Sequence, residues 1–281
     1  MGKFDSMLLV SDFDNTLLYT EAALRDGSAC PELSRRNLEG LRYWMDRGGR
    51  FAVATGRALA AYRRYNALVP TNAPAIVDNG GAIYDFSRER YLLTSFLRPG
   101  AREHIAAVME RFPGVSLELY HDSDLVQVLN PSAWNDQHAL LTGLGYQVVA
   151  DLSPETVAEP LTKALFVSEW EELSQIPPFF EAAGWREEYE LIFSNDHLLE
   201  MTARGANKGA MALRLKELCG CTKLFCAGDH ANDLPMLRAA DQAFAPANAI
   251  PEVLAAGVTP VCHCIDGAIG EIVELLDRTI A

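Results

Sequence analysis

The sequence predicts an α/β fold: a doubly wound parallel sheet with a smaller α+β unit inserted into it. Two observations carry this expectation. Near both ends of the chain, short and wholly apolar runs alternate with amphipathic helical stretches, the pattern of successive βαβ units. In the middle, apolar and polar residues alternate with a period of two, the pattern of half-exposed strands. The expected division is 1–83 with 196–281 for the main unit and 84–195 for the insertion.

Taken in order, Met7–Ser11 (MLLVS) is an apolar run suited to a strand covered on both faces. A polar loop reaches about Pro31. Leu38, Leu41 and Met45 then recur at helical spacing, with Arg35, Arg36, Arg42 and Arg47 on other faces, and Gly48-Gly49 stops that helix. Phe51–Ala54 is a second strand, a helix follows over about 58–68, and Ala75–Val77 is a third strand. In the insertion, Val115, Leu117 and Leu119 alternate with Ser116, Glu118 and Tyr120, and Val126 and Val128 flank Gln127. Further apolar runs lie at 164–167 and 191–193, and helices are expected over about 99–112, 132–143 and 170–184. The first pattern then returns. Asn207 is placed to cap a helix reaching Leu218. Leu224–Ala227 is a strand, a helix begins near Leu234, a short strand lies near Ala243–Ala245, and a final helix starts at about Gly267.

Composition narrows the function. The 281 residues are 49% hydrophobic and 22% charged, as a packed globule requires. The formal net charge of −14 argues against nucleic acid or an anionic membrane as partner, because both need a cationic face. An anionic substrate must therefore be held by local positive features. No apolar run of 18 residues occurs, and the N-terminus lacks a secretion signal, so a cytoplasmic protein is expected. Gly2 and Ser6 fit the loose myristoylation pattern, but the first strand follows at once. The six cysteines include two C-x-C pairs, Cys219/Cys221 and Cys262/Cys264. They read as reduced thiols in or near a core, since structural zinc sites favour C-x2-C pairs.

The chemistry is concentrated where the strands end. Four polar clusters follow apolar runs: Asp12-Phe13-Asp14-Asn15-Thr16, Thr55-Gly56-Arg57, Asp78-Asn79-Gly80-Gly81 and Gly228-Asp229-His230-Ala231-Asn232-Asp233. A doubly wound sheet binds its ligand outside the carboxyl ends of its strands, so these clusters should converge. Aspartates gathered there repel one another unless a hard cation neutralises them, and magnesium suits carboxylates together with a phosphate oxygen.

DFDNT at 12–16 resembles the D-x-D-x-T signature of the haloacid dehalogenase superfamily. Thr55-Gly56-Arg57 is similar to its second motif, Lys208 in Asn207-Lys208-Gly209 to its third, and GDHAND at 228–233 to its fourth. The order and spacing resemble the Cof-like sugar-phosphate phosphatases and sucrose-phosphate phosphatases, whose large cap lies between the second and third motifs. The resemblance implies a Rossmann-like core with an inserted α+β cap. Two departures stand out. Asn15 replaces the glycine of most Cof-like members, and Asn tolerates left-handed backbone better than other non-glycine residues. The return linker, Ala203–Lys208, differs from the usual one.

The resemblance implies a magnesium-dependent phosphatase of a small phosphorylated metabolite, such as a sugar phosphate. Asp12 is then the nucleophile that forms an aspartyl phosphate. Asp14 is the acid and base that serves the leaving oxygen and the water. Thr55 and Lys208 hold the phosphoryl oxygens. Magnesium is expected on Asp12, the main-chain carbonyl of Asp14 and Asp229. Asp233 binds through water or orients the ligands, and Asn232 hydrogen-bonds behind them. Substrate contacts are expected from Thr55, Gly56, Arg57, Asn79, Lys208 and Arg204, with Asn195 and His197 as further candidates. Two other readings stay open: a phosphomannomutase-like transferase using the same aspartyl phosphate, and a magnesium-binding regulator without turnover. Oligomeric state is not legible in the sequence.

Overall fold

A computed structural model describes residues 2–20, 31–123 and 125–280; Cys30 lies outside them. The chain forms two compact units. One comprises Met1–Ala58, Tyr62–Leu93 and Asn207–Ala281, the other Leu59–Ala61 with Thr94–Ala206.

The larger unit is built on β1 (Met7–Asp12), β2 (Arg50–Ala54), β3 (Ala75–Val77), β4 (Ala82–Asp85) and β5 (Arg90–Thr94), completed by β12 (Lys223–Ala227), β13 (Gln242–Pro246) and β14 (Thr259–Val261). Their order is β14-β13-β12-β1-β2-β3-β4-β5. From β14 to β3 every pairing is parallel, and β4 then runs antiparallel to β3. Winding proceeds from β1 in one direction and resumes at β12 in the other. The switch point, where a doubly wound sheet leaves its ligand crevice, therefore lies between β1 and β12. Strands β4 and β5 carry no clear periodicity and were not expected from the sequence.

Helices cover both faces of this sheet, because successive strand residues point to opposite sides. Leu8, Val10, Ala52, Ala54, Leu224 and Cys226 pack with Met211, Ala212 and Leu215 of α7 (Lys208–Leu218) and with Met236 and Leu237 of α8 (Leu234–Ala239). Elsewhere α1 (Arg35–Asp46) crosses α10 (Ala268–Thr279) closely enough that a Cβ on Gly40 would stand 2.8 Å from the Gly270 Cα. Short helix α9 (Pro251–Leu254) precedes β14. Asn207 caps α7 as its side-chain type predicts, accepting from the Ala210 amide at 2.9 Å.

The smaller unit has a six-stranded sheet in the order β10-β11-β9-β6-β7-β8. Its strands are β6 (Ser116–Tyr120), β7 (Val126–Leu129), β8 (Gln147–Val149), β9 (Lys163–Val167), β10 (Tyr189–Asn195) and β11 (Leu198–Ala203). One face, carrying Leu117, Leu119, Ala164, Phe166, Leu199 and Met201, packs with Ile105 and Val108 of α3 (Ala101–Arg111) and Ile176 and Phe180 of α6 (Ile176–Ala182). Helix α4 (Ala133–Thr142) follows β7. The single helix expected over 170–184 is two, α5 (Trp170–Leu173) and α6. Pro177 and Pro178 lack amide hydrogens and sit where a helix starts, so they break the run and begin a new helix.

Candidate active site

The register of the parallel strands sets the site. Asp12 pairs with Ala54 at the end of β2, and Ser11 pairs with Ala227 at the end of β12. The residues that follow, Thr55 and Gly228-Asp229, therefore leave the sheet at the same edge as Asp12. Helix α7 brings Lys208 to this edge on its first residue. Gly80 makes that approach feasible. It has φ +97°, and a Cβ there would stand 2.3 Å from the Asn207 carbonyl carbon. Only glycine accommodates both demands.

Lys208 is 1% exposed, and its Nζ donates to Asp12 Oδ1 at 2.6 Å and to Asp233 Oδ1 at 2.7 Å. The other oxygen of Asp233 accepts from the amides of Asp229 and His230, at 2.9 and 3.1 Å. Asp229 accepts from Thr16 Oγ1 at 2.6 Å. Oxygens of Asp12, Asp229 and Asp233 all lie within 4.8 Å of one another. Three buried carboxylates thus face one buried ammonium.

The titration behaviour follows from this count. Burial pushes the Asp12 carboxyl well above the usual carboxylate range, against the attraction of Lys208, and Asp233, Asp229 and Asp14 add to the rise. Burial, then Asp233, raises Asp229 to about 7. Burial disfavours the charge on Lys208, but Asp12 and Asp233 outweigh it and hold the ammonium above the usual lysine range.

Asp14 is set apart from this cluster. Its two oxygens accept from Arg57, Oδ1 from Nη2 at 2.7 Å and Oδ2 from Nε at 2.9 Å, and Oδ1 also accepts from Thr20 Oγ1 at 2.6 Å. Burial acts to raise this carboxyl, but the bonds and charge of Arg57 hold it below its ordinary value. Asn15 has φ +58°, the left-handed conformation for which asparagine was the expected substitute, and its side chain accepts from the Thr20 amide at 3.2 Å.

The second and third polar clusters brace each other. The Thr55 hydroxyl accepts from the Arg57 amide at 3.1 Å, while the amides of Asp78 and Asn79 donate to the carbonyls of Arg57 and Thr55 at 3.0 Å. Asp78 and Asn79 both have positive φ, 54° and 51°. Gly56 lies against the Asn79 side chain. Asn232 donates to Asn79 Oδ1 at 2.9 Å, which ties the GDHAND loop to this turn.

All of the sequence-derived candidates but three thus gather in the larger unit. Arg204, Asn195 and His197 lie in the smaller one. Arg204 pairs with Glu187 at 2.8 Å while 53% exposed, and His197 stacks on Trp134 with ring centroids 3.7 Å apart. Asn195 accepts from the His197 amide at 2.8 Å and closes a turn. The C-x-C cysteines take no part in a metal-ligating cluster among the described residues, where the one cluster of such side chains is Asp12, Asp229 and Asp233. Sequence reasoning missed Thr20 and Asn248, which donates to the Asn15 carbonyl at 2.7 Å. Neither sits in a motif.

These features define a hydrolase of the haloacid dehalogenase type, and comparison with known proteins agrees. The sequence profile of haloacid dehalogenase-like hydrolases matches residues 9–261, and the chain belongs to that family. It is 30% identical over 255 residues to an HMP-PP phosphatase of Cronobacter sakazakii, covering 87% of this chain and 85% of the relative. Its fold is similar to a haloacid dehalogenase-like hydrolase of Bacillus subtilis, with TM-score 0.78, 20% identity and coverage of 96% and 99% of the two chains. A subclass IIB sugar phosphatase of the same superfamily has TM-score 0.77 at 18% identity, with coverage of 96% and 99%.

Proposed function

We propose that the protein is a divalent-cation-dependent phosphatase that hydrolyses a small phosphorylated metabolite through an aspartyl phosphate on Asp12. The observation that carries this reading is the charge count at the switch point. Among the described residues, Asp12, Asp229 and Asp233 present three carboxylates to Lys208 alone, which leaves two negative charges for a hard divalent cation to neutralise. The donor set is all oxygen, and Asp12, Asp229 and the Asp14 carbonyl are the groups that would hold magnesium, with Asp233 orienting Lys208 and the loop. Bound there, the cation would polarise a phosphoryl oxygen and keep the neighbouring carboxylates ionised.

The chain's own residues divide the remaining work. Asp12 attacks phosphorus, and Asp14 gives a proton to the leaving oxygen and later takes one from the hydrolytic water. Lys208 and Thr55 hold the phosphoryl oxygens as charge develops on them, and Lys208 does so at a helix N-terminus that favours anions. With a net charge of −14 on the chain, an anionic substrate would depend on these local donors together with the cation. The Cronobacter relative is named an HMP-PP phosphatase, and a structural neighbour is a sugar phosphatase. Both HMP-PP and sugar phosphates therefore belong among the first substrates tried. The smaller unit is read as the cap that selects among them.

Phosphate release from a panel of phosphorylated metabolites, with and without magnesium, tests the reading when wild type is set beside Asp12→Asn. Magnesium-dependent release lost in the variant supports it. Turnover without net phosphate release moves the mutase reading forward, and ligand binding with no product the regulatory one.

A further inference from the structure

Asp14 must carry a proton at a defined position if it is to act on the leaving oxygen, yet a free carboxylate rotates and offers several acceptor sites. Here most of those sites are taken. Both lone-pair positions of Oδ1 are used, one by Arg57 Nη2 at 2.7 Å and one by Thr20 Oγ1 at 2.6 Å, and Oδ2 accepts from Arg57 Nε at 2.9 Å. Among the described residues, one position on Oδ2 is left over. The clamp is itself fixed. The Arg57 guanidinium carbon lies 4.8 Å from the centre of the Tyr65 ring and 5.5 Å from that of Phe13, and the Arg57 amide and carbonyl are tied to Thr55 and Asp78. The Arg57 side chain is 10% exposed, whereas Asp14 keeps 25%, so the carboxylate is gripped but not sealed.

We infer that Arg57 and Thr20 are positioning residues that hold the Asp14 carboxylate so that a single site on Oδ2 carries the proton of the reaction. This deepens the phosphatase reading and rests on it. In the first half-reaction Asp14, ionised at rest beside Arg57, takes a proton from solvent onto Oδ2 as the substrate binds; a P–O bond forms to Asp12, the P–O bond to the alcohol breaks, and that proton passes to the leaving oxygen. In the second, water attacks phosphorus, its proton returns to Oδ2, and Asp12 leaves as a carboxylate with inorganic phosphate. Planar Arg57 can make the two parallel bonds; lysine keeps the charge but cannot fork.

Leaving-group dependence tests the assignment. An alkyl phosphate such as glucose 6-phosphate needs its leaving oxygen protonated, whereas p-nitrophenyl phosphate scarcely does. Arg57→Lys is expected to lower kcat/KM, which reports the step that expels the leaving group, by roughly 100-fold more on the alkyl substrate than on the aryl one, as misplacing a catalytic group by about an ångström does. Thr20→Val should shift the ratio the same way by several-fold, and Thr20→Ser should restore it. Equal losses of kcat/KM on both substrates in Arg57→Lys and Thr20→Val overturn the inference and leave these residues to phosphate binding or folding. Asp14→Asn separates the two levels. If it too lowers kcat/KM equally on both substrates, Asp14 is not the acid and the mechanism itself fails; if it spares kcat/KM on the aryl substrate while slowing the shared hydrolysis of the intermediate, the mechanism stands and the Arg57 result alone decides.

Discussion

The larger and the smaller unit both bury charged side chains, but they balance them differently. In the smaller unit Glu118, 2% exposed, is fully partnered. Its Oε1 accepts from Asn135 at 2.9 Å, and its Oε2 is met by Tyr120 at 2.6 Å and His138 at 2.9 Å. Beside it Lys163 faces Glu200 at 3.2 Å, one cation to one anion, with the Lys163 ammonium 4.4 Å from the Tyr120 ring centre. Although burial acts the other way, the hydrogen bonds to Glu118, led by His138, hold its carboxyl below the usual range. In the larger unit three carboxylates share one ammonium, and Asp12 and Asp229 are pushed up. A balanced network holds a fold together, whereas an unbalanced one concentrates charge where a ligand can use it.

The largest expected effect breaks the unbalanced side of this comparison. Asp12→Asn should reduce phosphate release by about 10⁴-fold or more, since it would remove the proposed nucleophile. Thermal stability should hold or rise, because one uncompensated charge is gone. Calorimetry beside the activity assay checks both, and a fall in the midpoint would contradict the charge count. On the balanced side, Glu118→Ala strands Asn135, Tyr120 and His138 in the interior. It should cost about 3–5 kcal/mol in urea unfolding, the usual penalty for breaking a buried pair, while kcat stays within a few-fold of wild type.

The two networks should also answer pH with opposite signs. The folded Asp229 is raised from 3.8 to about 7, so the stability it allows is present below the unfolded value and is lost as pH climbs from about 4 to 7. Glu118 is lowered from 4.5, so its contribution is present above that value and is lost in more acidic solution. With a chelator present, the unfolding midpoint should therefore decline from about pH 4 towards 7. Saturating magnesium should flatten the decline and add about 3 kcal/mol at 100 times its dissociation constant. A chelated protein whose stability does not change between pH 4 and 7 would refute the imbalance. The smallest effect is expected at Arg204. Its pairing with Glu187 is exposed, so Arg204→Ala should change stability by less than about 0.5 kcal/mol. A tenfold rise in KM would mark it as a substrate contact.

Much of the larger unit was legible because each functional residue follows an apolar strand or opens a helix. Asp12 ends β1, Thr55 follows β2 and Lys208 begins α7. A buried parallel strand must be apolar along its whole length, so the first polar residue after it marks the edge where ligands bind. Strands β4 and β5 escaped notice, because Ala82–Asp85 and Arg90–Thr94 mix apolar and polar residues too closely to show a period. The grip on Asp14 was invisible for another reason. Arg57 is 43 residues from it, and Thr20 sits in a stretch without periodicity.

The sequence by itself determined the alternating βαβ order, the apolar strands and the polar residues that end them, since these depend on local periodicity and on what a two-sided sheet can bury. Only the tertiary structure decided how the charges pair. Lys208 reaches Asp12 across 196 residues, and Thr16 reaches Asp229 across 213. Which carboxylate faces Lys208, which accepts from Thr16 and which is held by Arg57 are consequences of strand register and of burial. Both arise when distant segments pack, because only then is water, which screens charges from one another, removed.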